Sequence, residues 1–254
     1  MPKFFVPKEN FDTAHGTLSI EGEAAWHISR SLRMATGDRI TVSDGIDTEY
    51  DCVIVGFDNG AVNCKIESSR PFDTEPPFKA RIYQALPKGD KLDMIIQKST
   101  ECGASYIGTF ESEFCVAREK SESAAKKLER RRRIAYEAAK QCGRGVVPEV
   151  LPTVDFKSAV LEAAKSDIPV FCYEGDGTVP LAELLRARRK TVCTDKGHRP
   201  EISVVIGSEG GFSSEEAKFA KENGMLMAGL GARILRTETV AGFVLACLVY
   251  EFEL

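Results

Sequence analysis

Ile202-Ser203-Val204-Val205-Ile206-Gly207-Ser208-Glu209-Gly210-Gly211-Phe212-Ser213-Ser214-Glu215-Glu216 decides the fold class of this chain. Its first five residues form a short apolar run, of the kind buried on both faces in a parallel sheet. Ser213 to Glu216 is a capping box, in which a serine and a glutamate three residues later satisfy the amides at a helix start. The helix it opens ends at Gly224. Between strand and helix, Gly207, Gly210 and Gly211 let the backbone approach a ligand closely and take positive φ. The loop amides lie near a helix N-terminus, where they can donate to a polar ligand. The loop is neither a Walker A sequence nor GxGxxG. On the glycines alone, a tight turn and a ligand loop both stay open.

Outward from this unit, strands and helices alternate. Strands are expected at Lys79–Ala85, Tyr106–Phe110, Pro169–Tyr173 and Met225–Leu230. Helices are expected at Lys91–Cys102 capped by Asp90, from Ser121 or Ser123 to Cys142, from Asp155 to about Lys165, at Leu181–Arg189 and at Val240–Phe252. Such alternation means an α/β fold, a mostly parallel sheet with helices on both faces. The N-terminal part reads differently. Short strands at Lys3–Val6, Thr17–Ile20, Asp38–Ser43, Thr48–Val55 and Ala61–Glu67 surround one helix, Glu23–Met34, with Ala24, Ile28 and Leu32 turned inward. That pattern suggests a small β-barrel. Pro71, Pro76 and Pro77 stiffen the segment between the two parts. The expected domains are therefore residues 1–72, a barrel, and residues 73–254, the α/β unit.

The 254 residues are 43% hydrophobic and 28% charged, enough to bury a core, which excludes collagen, coiled coil and wholesale disorder. The longest apolar run, Val240 to Tyr250, is about half a membrane span. Phe4-Phe5-Val6 stops at Pro7, so no signal peptide is expected and the cytoplasm is the default. Lys and Arg number 34 against 38 Asp and Glu. This excludes indiscriminate coating of nucleic acid but leaves room for a local basic site. Eight cysteines without a CxxC pair and three histidines, His15, His27 and His198, offer no zinc spacing. The cysteines, Cys193 among them, are expected to be free thiols serving as small hydrophobes.

In open α/β sheets, ligands bind beyond the carboxyl ends of the strands. The loop Gly231-Ala232-Arg233-Ile234-Leu235-Arg236-Thr237-Glu238-Thr239 stands there, ahead of an apolar helix. Capping by Thr237 or Thr239 and dipole compensation by Glu238 would explain three of these residues. Neither explains Arg236, because a cation at a helix N-terminus is disfavoured. Lys88 and Lys91 flank another loop after a strand, as a solvated turn or a phosphate contact. Arg144 closes a helix, by dipole compensation or as a phosphate contact. Lys126, Lys127 and Arg130 to Arg133 form one basic run, and Arg186, Arg188, Arg189 and Lys190 another; either is a solvated face or faces phosphate. His27, Arg30 and Arg33 recur at i, i+3 and i+6, on one helical face.

Four strings together resemble one family: Gln84-Ala85-Leu86-Pro87-Lys88-Gly89-Asp90-Lys91, Gln97-Lys98-Ser99-Thr100-Glu101-Cys102-Gly103, Ile206 through Ser213, and Leu230 through Thr239. They resemble the 16S ribosomal RNA (uracil-N3)-methyltransferases of the SPOUT (α/β-knot) superfamily. The stretch from His27 to Asp38 resembles that family's PUA-like barrel, so the resemblance spans essentially the whole chain. Ser208 stands where the family usually has Pro, Cys102 where it has Leu, Val240 where it has Ala, and Lys3 where it has Arg.

The resemblance implies a C-terminal trefoil knot, S-adenosylmethionine bound in the knot, a homodimer, and methylation of one uridine of 16S rRNA near the decoding centre. From the spacing and the apolar run, no metal and no membrane are expected. The cofactor would contact Tyr173, Glu174, Gly175, Ile206, Gly207, Gly210, Gly211, Leu230, Gly231, Ile234 and Leu235. Arg236 would stabilise charge spreading onto the uracil oxygens, and Glu238 would orient Arg236 or accept the N3 proton. Lys3, His27, Arg30, Arg33, Lys88, Lys98 and Arg144 would contact RNA. Gly207→Val is expected to fill the cofactor's space while the fold survives. The competing readings are a SPOUT enzyme acting on a ribose 2′-hydroxyl, a non-catalytic RNA-binding adaptor, and a nucleotide-dependent enzyme on a doubly wound sheet.

Overall fold

The computed structural model describes residues 1–192 and 199–254; Cys193 and His198 lie outside the described residues. The chain packs as two compact units, residues 1–75 with 139–147, and residues 76–138 with 148–254.

The first unit contains β1 (Lys3–Phe5), β2 (Phe11–Asp12), β3 (Thr17–Ile20), α1 (Gly22–Trp26), β4 (Arg39–Ser43), β5 (Thr48–Asp58) and β6 (Ala61–Pro71). The strands form one mixed sheet in the order β1-β4-β5-β6-β3-β2. Only β1 and β4 run parallel; the other neighbours are antiparallel. Phe4, Leu18, Ile20, Ile28, Ile40, Val42 and Ile54 fill its core. A register shift between Asp51 and Cys52 changes the side-chain phase of β5. Glu49 and Cys52 are both buried as a result, although three residues apart they would face opposite sides of a regular strand.

The single long helix expected over residues 23–34 does not form. After Trp26 the chain widens into a π-type turn at His27–Ser31. Arg33 then takes a left-handed conformation with φ of 53°. The wider turn rotates Leu32 off the line of Ala24 and Ile28, leaving it 42% exposed rather than in the core.

The second unit contains β7 (Lys79–Ala85), α2 (Lys91–Glu101), β8 (Ala104–Glu111), α3 (Ser121–Cys142, ending in the first unit), β9 (Glu149–Asp155), α4 (Phe156–Ala163), β10 (Ile168–Cys172), β11 (Val179–Pro180), α5 (Leu181–Val192), β12 (Glu201–Ile206), α6 (Ser214–Glu222), β13 (Leu226–Gly229) and α7 (Thr237–Phe252). All seven strands run parallel, in the order β11-β13-β10-β12-β7-β8-β9. Helix α7 packs against α2, α5 and β12, while α4 covers β7, β8, β9 and β12. Phe110, Phe156, Phe171 and Phe212 stack together within this core. This is the helix-flanked parallel sheet expected of an α/β-knot domain.

Strand β9 is absent from the sequence expectation because Pro152 interrupts its run. It lies at the sheet edge, where the amide a proline lacks is not needed. The capping box forms as expected. Ser213 Oγ accepts from Glu216 N at 3.3 Å, and Glu216 Oε2 accepts from Ser213 N at 3.0 Å. Asp155 caps α4 by accepting from Ser158 N at 3.0 Å. Asp90 occupies the N-cap position of α2, but its side chain makes no capping bond. Helix α7 starts at Thr237, three residues earlier than its apolar run suggested.

Candidate active site

The sheet order places β13, β10, β12 and β7 side by side, so the loops after them meet at their carboxyl ends. These loops hold every residue that the resemblance assigns to the cofactor or to catalysis. Ile206 is buried at the end of β12. The turn that follows is closed by Gly211 N donating to Ser208 O at 3.0 Å, with Gly211 at φ of 66°. A Cβ on Gly207 would lie 3.1 Å from Gly211 Cα, and one on Gly210 would lie 2.8 Å from Phe114 Cβ. These two glycines are therefore required by the protein's own packing. Gly207→Val would strain the loop itself rather than only fill ligand space, which corrects the expectation that the fold would be untouched.

Tyr173 is half-buried, and its ring sits where a Cβ on Gly175 would be, 2.3 Å from a ring carbon. Glu174 is exposed. Leu230 and Leu235 pack partly against the core, Gly231 turns with φ of 104°, and Ile234 is 82% exposed. The loops thus offer bare backbone edged by apolar side chains. Such a surface suits a flat, uncharged ring system with polar edges rather than a phosphate.

Arg236 is exposed; its carbonyl accepts from Thr239 N at 2.8 Å, but among the described residues no hydrogen bond or ion pair engages its guanidinium. Glu238 lies with Oε2 3.2 Å from Lys91 Nζ, and Lys91 also pairs with Glu209 Oε1 at 2.8 Å. Glu209 in turn accepts from Lys88 N at 3.2 Å. The Glu238 carboxyl is held below the usual carboxylate range by its own backbone amide, and, against some desolvation, by Lys91 and Arg236. Burial is the largest influence on Glu209 and opposes its ionisation, but the Lys91 hydrogen bond, the backbone amides of Glu209 and Lys88 and the Lys91 charge together outweigh it and lower that carboxyl too. Lys91, one of the two turn lysines, is thus a bridge between a carboxylate of the glycine loop and one in the first turn of α7.

Beneath this charged layer lies a neutral one. Gln84, fully buried at the end of β7, donates from Nε2 to Thr237 Oγ1 at 2.9 Å. Thr237 donates to Gly207 O at 2.7 Å. Gln84, Glu209 and Thr237 are not among the site residues expected from the sequence, although all three, like Lys91, sit in motifs singled out there, Thr237 as a candidate helix cap. It does not cap α7, since its hydroxyl is engaged across the site.

Two residues expected to contact RNA are instead structural. The Lys3 ammonium is 9% exposed, pairs with Glu49 and donates to Gly143 O at 2.9 Å. The Arg144 guanidinium is 4% exposed and grips Glu75 with two nitrogens, at 2.5 and 3.2 Å. Glu75 also accepts from Gly145 N at 3.0 Å and Val146 N at 3.2 Å. Cations sealed this way cannot reach phosphate. His27 is half-buried with its ring against Phe4. Arg30 and Arg33 are exposed but do not share a helical face, since Arg33 lies beyond the π-type turn. Lys88 is exposed, and Lys98 pairs with Glu101 on its own helix at 2.8 Å.

The basic runs divide likewise. Arg131 is buried against Glu119 at 2.7 Å, and Arg132 donates to Val150 O at 3.1 Å. Arg189 pairs with Glu251 at 3.5 Å. The seven described cysteines are free, and burial pushes the Cys52 and Cys172 thiols up to about 12. Those two are not nucleophiles near neutral pH. Among the described residues, no group of three or more His, Cys, Asp or Glu side chains could hold a metal ion.

Residues 74–249 match a family model described as an RNA methyltransferase domain, and residues 20–67 match an RNA methyltransferase PUA domain. The whole chain is 33% identical to the ribosomal RNA small subunit methyltransferase E of Bacillus subtilis, with 98% of that protein covered. The ribosomal RNA small subunit methyltransferase E of Neisseria gonorrhoeae, solved bound to S-adenosyl methionine, is similar at a TM-score of 0.80 and 27% identity, with 98% of each chain covered. A Legionella pneumophila protein described as a methyltransferase, solved with the bound cofactor SAM, is similar at a TM-score of 0.82 and 29% identity. That match covers 98% of this chain and 97% of the other.

Proposed function

The chain belongs to the small-subunit ribosomal RNA methyltransferase E family, and from that membership we propose that it transfers a methyl group from S-adenosylmethionine to N3 of one uridine in 16S rRNA. The observation that carries the proposal is Arg236, an unpaired cation at the rim of a glycine-rich, apolar-edged cradle.

The cradle fits the cofactor. Open backbone at Gly231 and Gly211 and the bare side chain of Ile234 suit an adenosine that carries no phosphate. Tyr173, Glu174, Gly175, Ile206, Gly207, Gly210, Leu230 and Leu235 would complete the pocket. When bound, S-adenosylmethionine supplies an electrophilic methyl group on a sulfonium. Arg236 would donate to the uracil oxygens, where negative charge gathers as N3 loses its proton. Glu238 stays ionised, so it can accept a hydrogen bond from Arg236 or take the N3 proton. Its depressed proton affinity makes the first role the stronger. The target base has to be unpaired or extruded to expose N3.

The PUA match over residues 20–67 supports RNA contact by the first unit, through His27, Arg30 and Arg33, with Lys88 and Lys98 serving in the second. A homodimer is supported by α7, which is apolar nearly all round yet leaves Phe243 and Tyr250 exposed, 38% and 71%. No helix among the described residues is long and apolar enough to cross a membrane, and an rRNA substrate supports a cytoplasmic location. The test is incubation of small ribosomal subunits lacking the modification with labelled S-adenosylmethionine, followed by nucleoside analysis. We expect labelled 3-methyluridine. Label in a 2′-O-methyl nucleoside, or none at all, overturns the proposal.

A further inference from the structure

Thr237 is the first residue of α7, and that helix start is supported locally only by Thr239 N donating to Arg236 O at 2.8 Å and by the Glu238 carboxylate beside its own amide. No side chain caps it, and its N-cap position is held by Arg236, a cation where the helix dipole disfavours one. A first turn without an N-cap side chain keeps fewer of its amides satisfied and frays more readily. Yet Thr237 is only 5% exposed, and its hydroxyl reaches away from its own helix to Gly207 O and Gln84 Nε2.

Gln84 explains the rest. Its Nε2 lies 3.0 Å from Ala85 O and 3.2 Å from Gly207 O. Two carbonyl oxygens on that side require the NH2 there, so the amide orientation is determined. Gln84 Oε1 is then left buried with no donor. A buried acceptor without a donor destabilises a fold, and an apolar side chain of similar volume would remove the penalty. The amide is therefore not retained for stability. Its NH2 group is what ties the ends of β7 and β12 to the start of α7.

We infer that Gln84 and Thr237 are a positioning pair, which pins the uncapped first turn of α7 to the glycine loop and so sets where Arg236 stands. The inference rests on the proposed role of Arg236. Neither residue touches the reacting groups; both act through Arg236, and small misplacements of such a group lower rates steeply.

Three variants test it. Thr237→Val keeps the branched shape and removes the hydroxyl, Thr237→Ser keeps the hydroxyl, and Gln84→Met removes the amide. Turnover on small subunits is compared with the parent chain, and hydrogen exchange over residues 230–239 is followed independently of activity. We expect Thr237→Val to lower kcat by roughly tenfold or more, with KM for cofactor and subunit within about threefold. Thr237→Ser should recover to within about threefold of the parent. Gln84→Met should lower kcat in the same way while melting no lower than the parent. Exchange over 230–239 should quicken in Thr237→Val and Gln84→Met, with β10 and β12 unchanged. If Thr237→Val does not fold, Gln84→Met carries the same comparison. Parent-like turnover or exchange, a Thr237→Ser as slow as Thr237→Val, or a Gln84→Met melting well below the parent overturns the inference. A parent chain that makes no 3-methyluridine defeats the proposed function instead, and the exchange measurements still decide the pair.

Discussion

Arg144 and Arg236 bear the same side chain in opposite surroundings. Arg144 is sealed in the first unit, and both its guanidinium and its partner Glu75 are almost free of solvent. Arg236 stands at the loop ends of the second unit, exposed and unpaired among the described residues. A buried cation has to be matched by a partner and is then unavailable to anything else. A cation intended for a substrate has to be left without one, and the fold must supply its position by other means. Lys91 is the intermediate case, partly exposed and shared between Glu209 and Glu238.

The contrast is broken or sharpened by three measurements. The largest effect belongs to Arg144→Ala. It strands Glu75 in the interior, and we expect a loss of about 3–5 kcal/mol in denaturant unfolding. Full stability combined with weakened RNA binding would return Arg144 to the RNA surface. Next comes Arg236→Ala, which should cut methyl transfer by more than about tenfold, or about 1.4 kcal/mol, while melting and calorimetric cofactor affinity stay near the parent. Unchanged turnover would remove Arg236 from the mechanism.

The smallest effect concerns pH. Glu209 and Glu238 are held below their ordinary value of 4.5 in the folded chain. Their contribution to stability is thus complete above about pH 4.5 and is lost as pH falls through the depressed values. Melting temperature should stay level from neutrality down to about pH 5 as far as these groups are concerned, then fall, and less so in Lys91→Met. The pH–rate profile around neutrality should contain no limb from Glu238. A limb there that disappears in Glu238→Gln would restore Glu238 as the proton acceptor.

The capping box at Ser213 to Glu216, the Asp155 cap and the alternation of strands and helices were legible because each is a local signal. The long helix over residues 23–34 was misread, because its apolar spacing is helical while the backbone beyond Trp26 is not. Lys3 and Arg144 were misread because a charged residue announces its charge in sequence but not its partner. Glu49 and Glu75 are distant in the chain, and nothing near either cation points to them.

Residues 139–147 make the same point. Their composition carries no sign that they pack with the first 75 residues. They do so through Lys3 donating to Gly143 O, Ser43 donating to Gly145 O at 2.6 Å, and the Phe72 ring filling the space beside Gly145, where only a glycine fits.

The chain by itself determined most of its elements, its parallel sheet and the loops where ligands could bind, because those follow from neighbours along the backbone. Which cations are sealed and which stay free, and which buried groups hold Arg236 in place, was decided only by the folded arrangement. Ion pairs and hydrogen bonds depend on distances of a few ångströms in space, and three segments meet at Gln84, Gly207 and Thr237, with Gln84 123 residues from Gly207 and 153 from Thr237.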